Sequence, residues 1–337
     1  MKLNLEQIKS ITSGAARITE ENDGFHFFRF TKEQEELYKV RSEDFYIKTF
    51  CTSGVKFSFY TDSDFLKLKV NTVSTPGCHR RFFSFDVFVN EEKIGSINNY
   101  NDYEGNTAKF LNVPLPEGDF EKEFSLGEGK KKVDVYLPWS ARATVKEVSI
   151  EDNALLEPIK PQKTLLCFGD SITQGYDALS PSAKYTTRLA NYLNAQEFNK
   201  AIGGECFLSE LGNTKEDFIP DYILVAYGTN DFTVCPYDTA RENIAGFYGN
   251  LAKNYPTSKI YALTPIWRKD HEQNGAFGEF HHMEETIREL TAKFSNITVV
   301  RGFELVPHEE KYFGDFVLHP NNEGFEKYFE SLTEYIK

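Results

Sequence analysis

The apolar residues of this chain follow two different periods, and the change between them falls at one place. Up to about residue 155 the period is two. Val55, Phe57 and Phe59 alternate with Lys56, Ser58 and Tyr60, and Leu66, Leu68 and Val70 alternate with Lys67 and Lys69. Phe85, Val87 and Val89 repeat the pattern before Asn90-Glu91-Glu92, and Val133, Val135 and Leu137 repeat it before Pro138. A strand turns successive side chains to opposite faces, so this alternation marks half-buried antiparallel strands. Short strands separated by Gly, Asn and Asp clusters, with no convincing helix after about residue 40, predict an antiparallel β-sandwich over residues 1–157. The stretch Lys32 to Val40 reads as either a helical turn or a loop.

Glu157 to Lys163 is polar and holds Pro158 and Pro161, neither of which can extend a central strand or a helix interior. It is expected to be a linker. Beyond it lie short continuous apolar runs: Leu165 to Phe168, Tyr222 to Ala226, Ile260 to Leu263 and Ile297 to Val300, with a weaker one around Phe198. Helical patterns separate them: Ile244, Phe247, Tyr248 and Leu251, then Met283, Ile287, Leu290 and Phe294, and finally Phe325, Phe329, Leu332 and Ile336. Strands buried on both faces and alternating with amphipathic helices predict an α/β domain over residues 161–337, a parallel sheet with helices on both faces. A chain of 337 residues accommodates both domains.

Charge narrows the partners. Against 38 Lys and Arg stand 51 Asp and Glu, a formal net charge of -13, which argues against nucleic acid or an anionic membrane surface. No apolar run approaches the length of a membrane span, and the first residues lack the apolar core of a secretory signal. The expectation is a soluble, cytoplasmic protein. Its five cysteines (Cys51, Cys78, Cys167, Cys206, Cys235) form no C-x-x-C pair and are expected to be reduced thiols, with neither a structural zinc site nor a cofactor. The 30 Phe and 18 Tyr serve core filling or a carbohydrate-handling surface.

In an open parallel sheet, ligands sit beyond the carboxyl ends of the strands. The segments that follow the strand candidates are Gly169-Asp170-Ser171-Ile172-Thr173, Ala201-Ile202-Gly203-Gly204-Glu205 and Tyr227-Gly228-Thr229-Asn230-Asp231. Gly314-Asp315-Phe316-Val317-Leu318-His319-Pro320-Asn321 precedes the last helix. Together they hold the parts of an acyl-transfer site. A serine hydroxyl needs a base, usually a histidine oriented by a carboxylate. Ser171 lies where a strand turns into a helix, His319 is the natural base, and Asp315 is the nearest carboxylate. The amides of Ser171 and Gly204 and the side-chain amide of Asn230 can serve a developing oxyanion.

The set GDSIT, AIGG, GTND and D…HPN resembles the GDSL/SGNH hydrolase superfamily, whose blocks contribute Ser, Gly, Asn and His in this order. The resemblance covers residues 161–337 and implies an SGNH-type, flavodoxin-like fold. It implies nucleophile Ser171, base His319, and oxyanion donors Ser171, Gly204 and Asn230. A sandwich placed before such a domain is similar to two-domain carbohydrate (acetyl) esterases, which implies a jelly-roll-like first domain. The family spacing is D-x-x-H, whereas three residues separate Asp315 from His319 here. Glu309, Glu310 or a backbone carbonyl stand as alternatives to Asp315.

Outside these blocks, Trp267 is a candidate floor for a sugar or acyl pocket, Arg268 a donor to a substrate oxygen, and Tyr176 a pocket wall or a packing residue. Lys269 to Phe280, with Gly275 and Gly278, reads as a mobile lid, and His281 and His282 as surface residues. His79-Arg80-Arg81 reads as a solvated sheet edge or loop. The function expected is a serine ester hydrolase that removes acetyl or other short acyl groups from oligosaccharides. Acyl transfer to an alcohol uses the same residues. A metal-dependent phosphoesterase would need D-x-H and G-H-x-H strings that are missing, and a non-catalytic carbohydrate-binding protein would be expected to lack Ser171, His319 or Asn230. Oligomeric state is not encoded in any of these features.

Overall fold

The structure, a computed structural model, describes residues 1–75, 79–100, 107–110 and 112–336. Cys78 lies outside the described residues. In the first half two antiparallel sheets face each other. One runs Thr12–Ser13, Lys56–Thr61, Lys131–Tyr136, Ser84–Val89, Glu92–Asn98, with Glu157–Pro158 added beside Lys56–Thr61. The other runs Arg17–Glu21, Gly24–Phe28, Ala141–Ser149, Phe65–Ser74, Gly118–Ser125. The alternating residues do the packing: Phe57, Phe59, Val87, Val133 and Val135 meet Leu66, Leu68, Val70, Val145 and Val148 in one core.

The first half is not all sheet. Lys32–Arg41 and Glu43–Lys48 are helices, so the expectation of no helix past residue 40 fails. Thr31 and Gln34 form a reciprocal capping box, and Ser42 caps the second helix through the Phe45 amide. The T-x-x-Q string was the available signal, but the helices are short and polar and show little apolar periodicity. They pack away from the sandwich: Phe30, Leu37, Tyr38, Phe45 and Tyr46 join a core of the second half.

The second half is a five-stranded parallel sheet, ordered Ala195–Asn199, Lys163–Gly169, Tyr222–Ala226, Lys259–Leu263, Ile297–Val300. Counted along the chain this is 2-1-3-4-5, and connections diverge on either side of the first strand, where such sheets open a crevice. Successive strand residues serve opposite faces. Leu166 and Phe168 pack with Ile244, Phe247 and Ile287, while Leu165 and Cys167 pack with Leu189, Phe325 and Leu332. That double burial is why these strands read as continuous apolar runs.

Buried polar groups join the halves. The Arg29 guanidinium donates to the carbonyls of Cys51, Asn199 and Ala201, and Lys184 reaches Ser53 at 2.8 Å and Glu197 at 2.9 Å. Trp139 Nε1 donates to the Ala178 carbonyl at 2.8 Å, and Gln174 Nε2 returns to the Trp139 carbonyl at 3.0 Å. Removing one partner would strand a buried polar group, so these contacts hold the halves in one register.

Candidate active site

Gly169 ends the first strand, and a Cβ there would lie 2.3 Å from Thr173 Oγ1 and 2.9 Å from the Ala226 carbonyl oxygen. Only glycine permits so tight a passage from strand to helix. Asp170 caps the short helix Ser171–Gln174 by accepting from the Ile172 amide at 3.0 Å, which leaves Ser171 as its first residue. Ser171 Oγ lies 2.8 Å from His319 Nε2, and His319 Nδ1 lies 2.6 Å from Asp315 Oδ2.

The three-residue spacing is absorbed by a turn. Asp315 Oδ1 accepts from the amides of Val317, Leu318 and His319 at 3.0, 2.8 and 3.1 Å, and Phe316 takes a left-handed φ of 64°. The Gly314 amide closes the loop on the His319 carbonyl at 2.7 Å. Burial alone would raise the Asp315 carboxyl. The hydrogen bond and charge of His319, with the Leu318 and Val317 amides, outweigh burial and hold it well below the usual carboxylate range. Glu309 and Glu310 stand elsewhere, paired with Lys311 and Lys269.

Arg80 corrects the reading of its segment as solvated. It is 9 % exposed, and it crosses from the sandwich to grip Asp177 through Nε and Nη2, each at 3.0 Å. The same Nη2 lies 3.2 Å from Asp315 Oδ2 and 3.1 Å from His319 Nδ1. Asp177 is fully buried in a left-handed backbone, φ 68°. His79, by contrast, is exposed and faces Asn112. Nothing in a polar run marks which of its members will be buried, so Arg80 and Asp177 had no signal in the sequence.

Tyr176 packs with Trp139, centroids 5.0 Å apart and planes tilted by 36°, and with the His319 imidazole, 5.5 Å away and tilted by 30°, with the Arg80 guanidinium over its ring. It packs behind the base, and a Cβ on Gly203 would lie 2.4 Å from its hydroxyl. Gly203 is held by the Gln174 side chain, which accepts from its amide at 2.8 Å. Gly204, exposed and at φ 89°, has no protein acceptor for its amide among the described residues. The nearest group to a Cβ placed there is the Phe45 ring, at 3.7 Å.

Asn230 sits in the first turn of the helix Thr229–Val234 and donates from Nδ2 to the Glu205 carbonyl at 3.0 Å. An amide carries two N–H groups, so one remains. Burial pushes the Glu205 carboxyl up to about 8, although the hydroxyls of Tyr38 and Tyr227 donate to it at 2.6 and 3.1 Å.

Trp267 and Arg268 take other places than expected. Trp267 is 8 % exposed, stacked on His308 at 5.7 Å and packed on Phe313, so its faces are covered. Arg268, 6 % exposed, spends its nitrogens on Asp270 at 2.6 and 2.9 Å, the Thr229 carbonyl at 3.0 Å and Thr233 Oγ1 at 2.9 Å. It braces the helix that carries Asn230 in place of the expected substrate contact. The stretch from Lys269 to Phe280 is pinned rather than loose: Phe277 and Phe280 are buried, and the Phe277 amide donates to the Phe232 carbonyl at 3.2 Å. His281 is exposed beside Glu279.

Residues 167–327 match the GDSL-like lipase/acylhydrolase family. No curated protein matches the sequence. Among solved structures, the salicylyl-acyltransferase SsfX3 of a tetracycline biosynthetic pathway is similar with a TM-score of 0.76 at 20% identity, over 95% of this chain and 92% of that one. A putative GDSL-like lipase from Bacteroides ovatus gives 0.72 at 17%, over 99% and 95%. A family two carbohydrate esterase from Cellvibrio japonicus gives 0.63 at 16%, over 97% and 95%. These matches span both halves, so the two-domain fold is shared throughout.

Proposed function

We propose that this chain, whose residues 167–327 form a GDSL-like lipase/acylhydrolase domain, hydrolyses carboxylic esters through an acyl-enzyme on Ser171. The observation that carries the reading is the continuous chain from Ser171 Oγ to His319 to Asp315, at 2.8 and 2.6 Å. His319 Nε2 takes the hydroxyl proton as Oγ attacks the ester carbonyl carbon, and the carbonyl electrons move to oxygen. The amides of Ser171 and Gly204 and Asn230 Nδ2 are the donors for that oxyanion. Collapse expels the alcohol, which takes the proton from His319. Water, deprotonated by the same imidazole, then releases the acid. Asp315, ionised and fixed by three amides, holds the Nδ1–H tautomer and offsets the imidazolium charge.

A short acyl group on a saccharide is the substrate class we favour. The Phe45 ring borders Gly204 and narrows the space beside the oxyanion donor. The family two carbohydrate esterase from Cellvibrio japonicus shares the two-domain fold. The similarity to a salicylyl-acyltransferase supports a second reading, in which an alcohol rather than water receives the acyl group.

The test is Ser171→Ala assayed on nitrophenyl acetate, nitrophenyl octanoate and acetylated oligosaccharides, with a serine-directed phosphonate as label. Wild type should turn over acetyl faster than octanoyl esters and be labelled at Ser171, and the variant should lose on the order of 10⁵ or more in kcat. An active variant refutes the nucleophile, and faster octanoyl turnover refutes the short acyl group. Adding an alcohol acceptor and weighing ester product against free acid separates transfer from hydrolysis.

A further inference from the structure

Two of the cysteines meet beside the oxyanion donors. Cys206 lies two residues after Gly204, and Cys235 is the residue just past the helix Thr229–Val234, which begins with Thr229, Asn230 and Asp231. Asp231 and Cys235 are four residues apart, one helical turn, and so share a face. The Cys206 and Cys235 sulfurs and a carboxylate oxygen of Asp231 all lie within 4.8 Å of one another. Asp231 is fully buried, and the Phe207 amide orients it by donating to Oδ1 at 3.0 Å. Its Oδ2 is buried with no hydrogen-bond partner among the described residues. A buried carboxylate oxygen without a donor is costly, and on a carboxylate grouped with two thiols it is a candidate ligand atom.

We propose that Cys206, Asp231 and Cys235 form a site for one borderline-soft divalent metal ion of the zinc class. Two thiolates and a carboxylate are the donors such an ion selects over magnesium or calcium. On a tetrahedral ion with Zn–S bonds of about 2.3 Å, two sulfurs stand about 3.8 Å apart, a separation that falls within the 4.8 Å that bounds these ligand atoms. Three protein ligands leave the fourth position open. Cys206 is buried and Cys235 half-buried, so the more open side lies at Cys235. The ion would tie the Gly204 loop to the Asn230 helix, across the junction that the Asn230–Glu205 hydrogen bond already spans. No spacing rule finds these ligands, because Cys206 comes from a different loop than Asp231 and Cys235, which lie in and at the end of the helix Thr229–Val234. This inference concerns binding and stands independently of the ester chemistry.

The test uses full-length protein, reduced and stripped of metal. Zinc is titrated against a chromophoric chelator, and cadmium is added to read thiolate-to-metal charge-transfer absorption. One equivalent should bind, raise the thermal midpoint and, for cadmium, give the charge-transfer band. Cys235→Ser and Cys206→Ser should each weaken binding at least tenfold, and Asp231→Asn should weaken it while retaining the band. If Cys206→Ser does not fold, alkylation of the wild type decides: saturating zinc should protect the Cys235 thiol. Absence of the band, affinity unchanged in Cys235→Ser, or an unprotected Cys235 thiol would each overturn the site. So would a reduced protein that re-forms a Cys206–Cys235 disulfide and binds no metal.

Discussion

Arg80 and Arg268 are both buried arginines that grip an aspartate with two nitrogens, yet only one reaches the reacting groups. Arg268 holds Asp270, two residues away, and the carbonyl of Thr229, so its bonds stay within one edge of the parallel sheet. Arg80 comes from the sandwich and holds Asp177 of the other half, and its Nη2 also reaches Asp315 and His319. The first arginine steadies a helix. The second makes the base and its carboxylate depend on how the two domains are docked. A guanidinium is planar and permanently charged, so it can bridge two carboxylates and keep both ionised in a buried setting. His319 Nδ1 already donates its proton to Asp315, which makes the nearby positive charge an opponent of the imidazolium and a support for Asp315.

The comparison can be broken or sharpened by substitution. The largest effect should come from Asp315→Asn, which leaves Arg80 and Asp177 in place but removes the acceptor for Nδ1. Loss on the order of 10⁴ in kcat is expected. A loss below tenfold would show that Arg80 and Asp177 orient the imidazole without it. Asn230→Ala, at the helix Arg268 braces, should cost about 10²–10³ in kcat as a lost oxyanion donor.

Arg80→Ala should come next, at on the order of 10² in kcat with little change in KM, as His319 and Asp315 lose their support. Arg80→Lys should restore only part of the rate, because a point charge cannot reproduce the two-nitrogen grip on Asp177. Arg268→Ala should cost less than tenfold in kcat while lowering the thermal midpoint by several degrees. Equal kcat losses in the two arginine variants would erase the distinction.

The smallest effect concerns stability. The carboxyl of Glu205, next to Gly204, titrates at about 8 in the folded chain against an ordinary 4.5, burial being the main cause. An acid raised in this way is ionised more readily unfolded, so its contribution weakens as pH rises from about 4.5 to 8. The slope is at most about 1.4 kcal/mol per pH unit for one group. Glu205→Gln should flatten the fall of the thermal midpoint between about pH 5 and 8, and an unchanged slope would refute that source.

The motif blocks were legible because each is local. A glycine for a tight strand-to-helix passage, a serine at the helix start, and an amide on the next helix are all set by neighbours in sequence. Asp315 was legible as a candidate but not as a solution. Its fit depends on an Asx-type turn with Phe316 left-handed, which a residue-spacing rule does not contain.

What the sequence determined by itself is therefore the alternation of strands, the switch to buried parallel strands, and the four loops that line one sheet edge. These follow from periodicity and from backbone geometry acting over a few residues. Only the tertiary structure decided that Arg80 is buried against Asp177 and Asp315, that Trp139 and Tyr176 back the imidazole, and that Trp267 is covered. The physical reason is that a periodic pattern records which face of an element leaves water, whereas the partner of a buried charge or ring is chosen by the docking of elements distant in the chain.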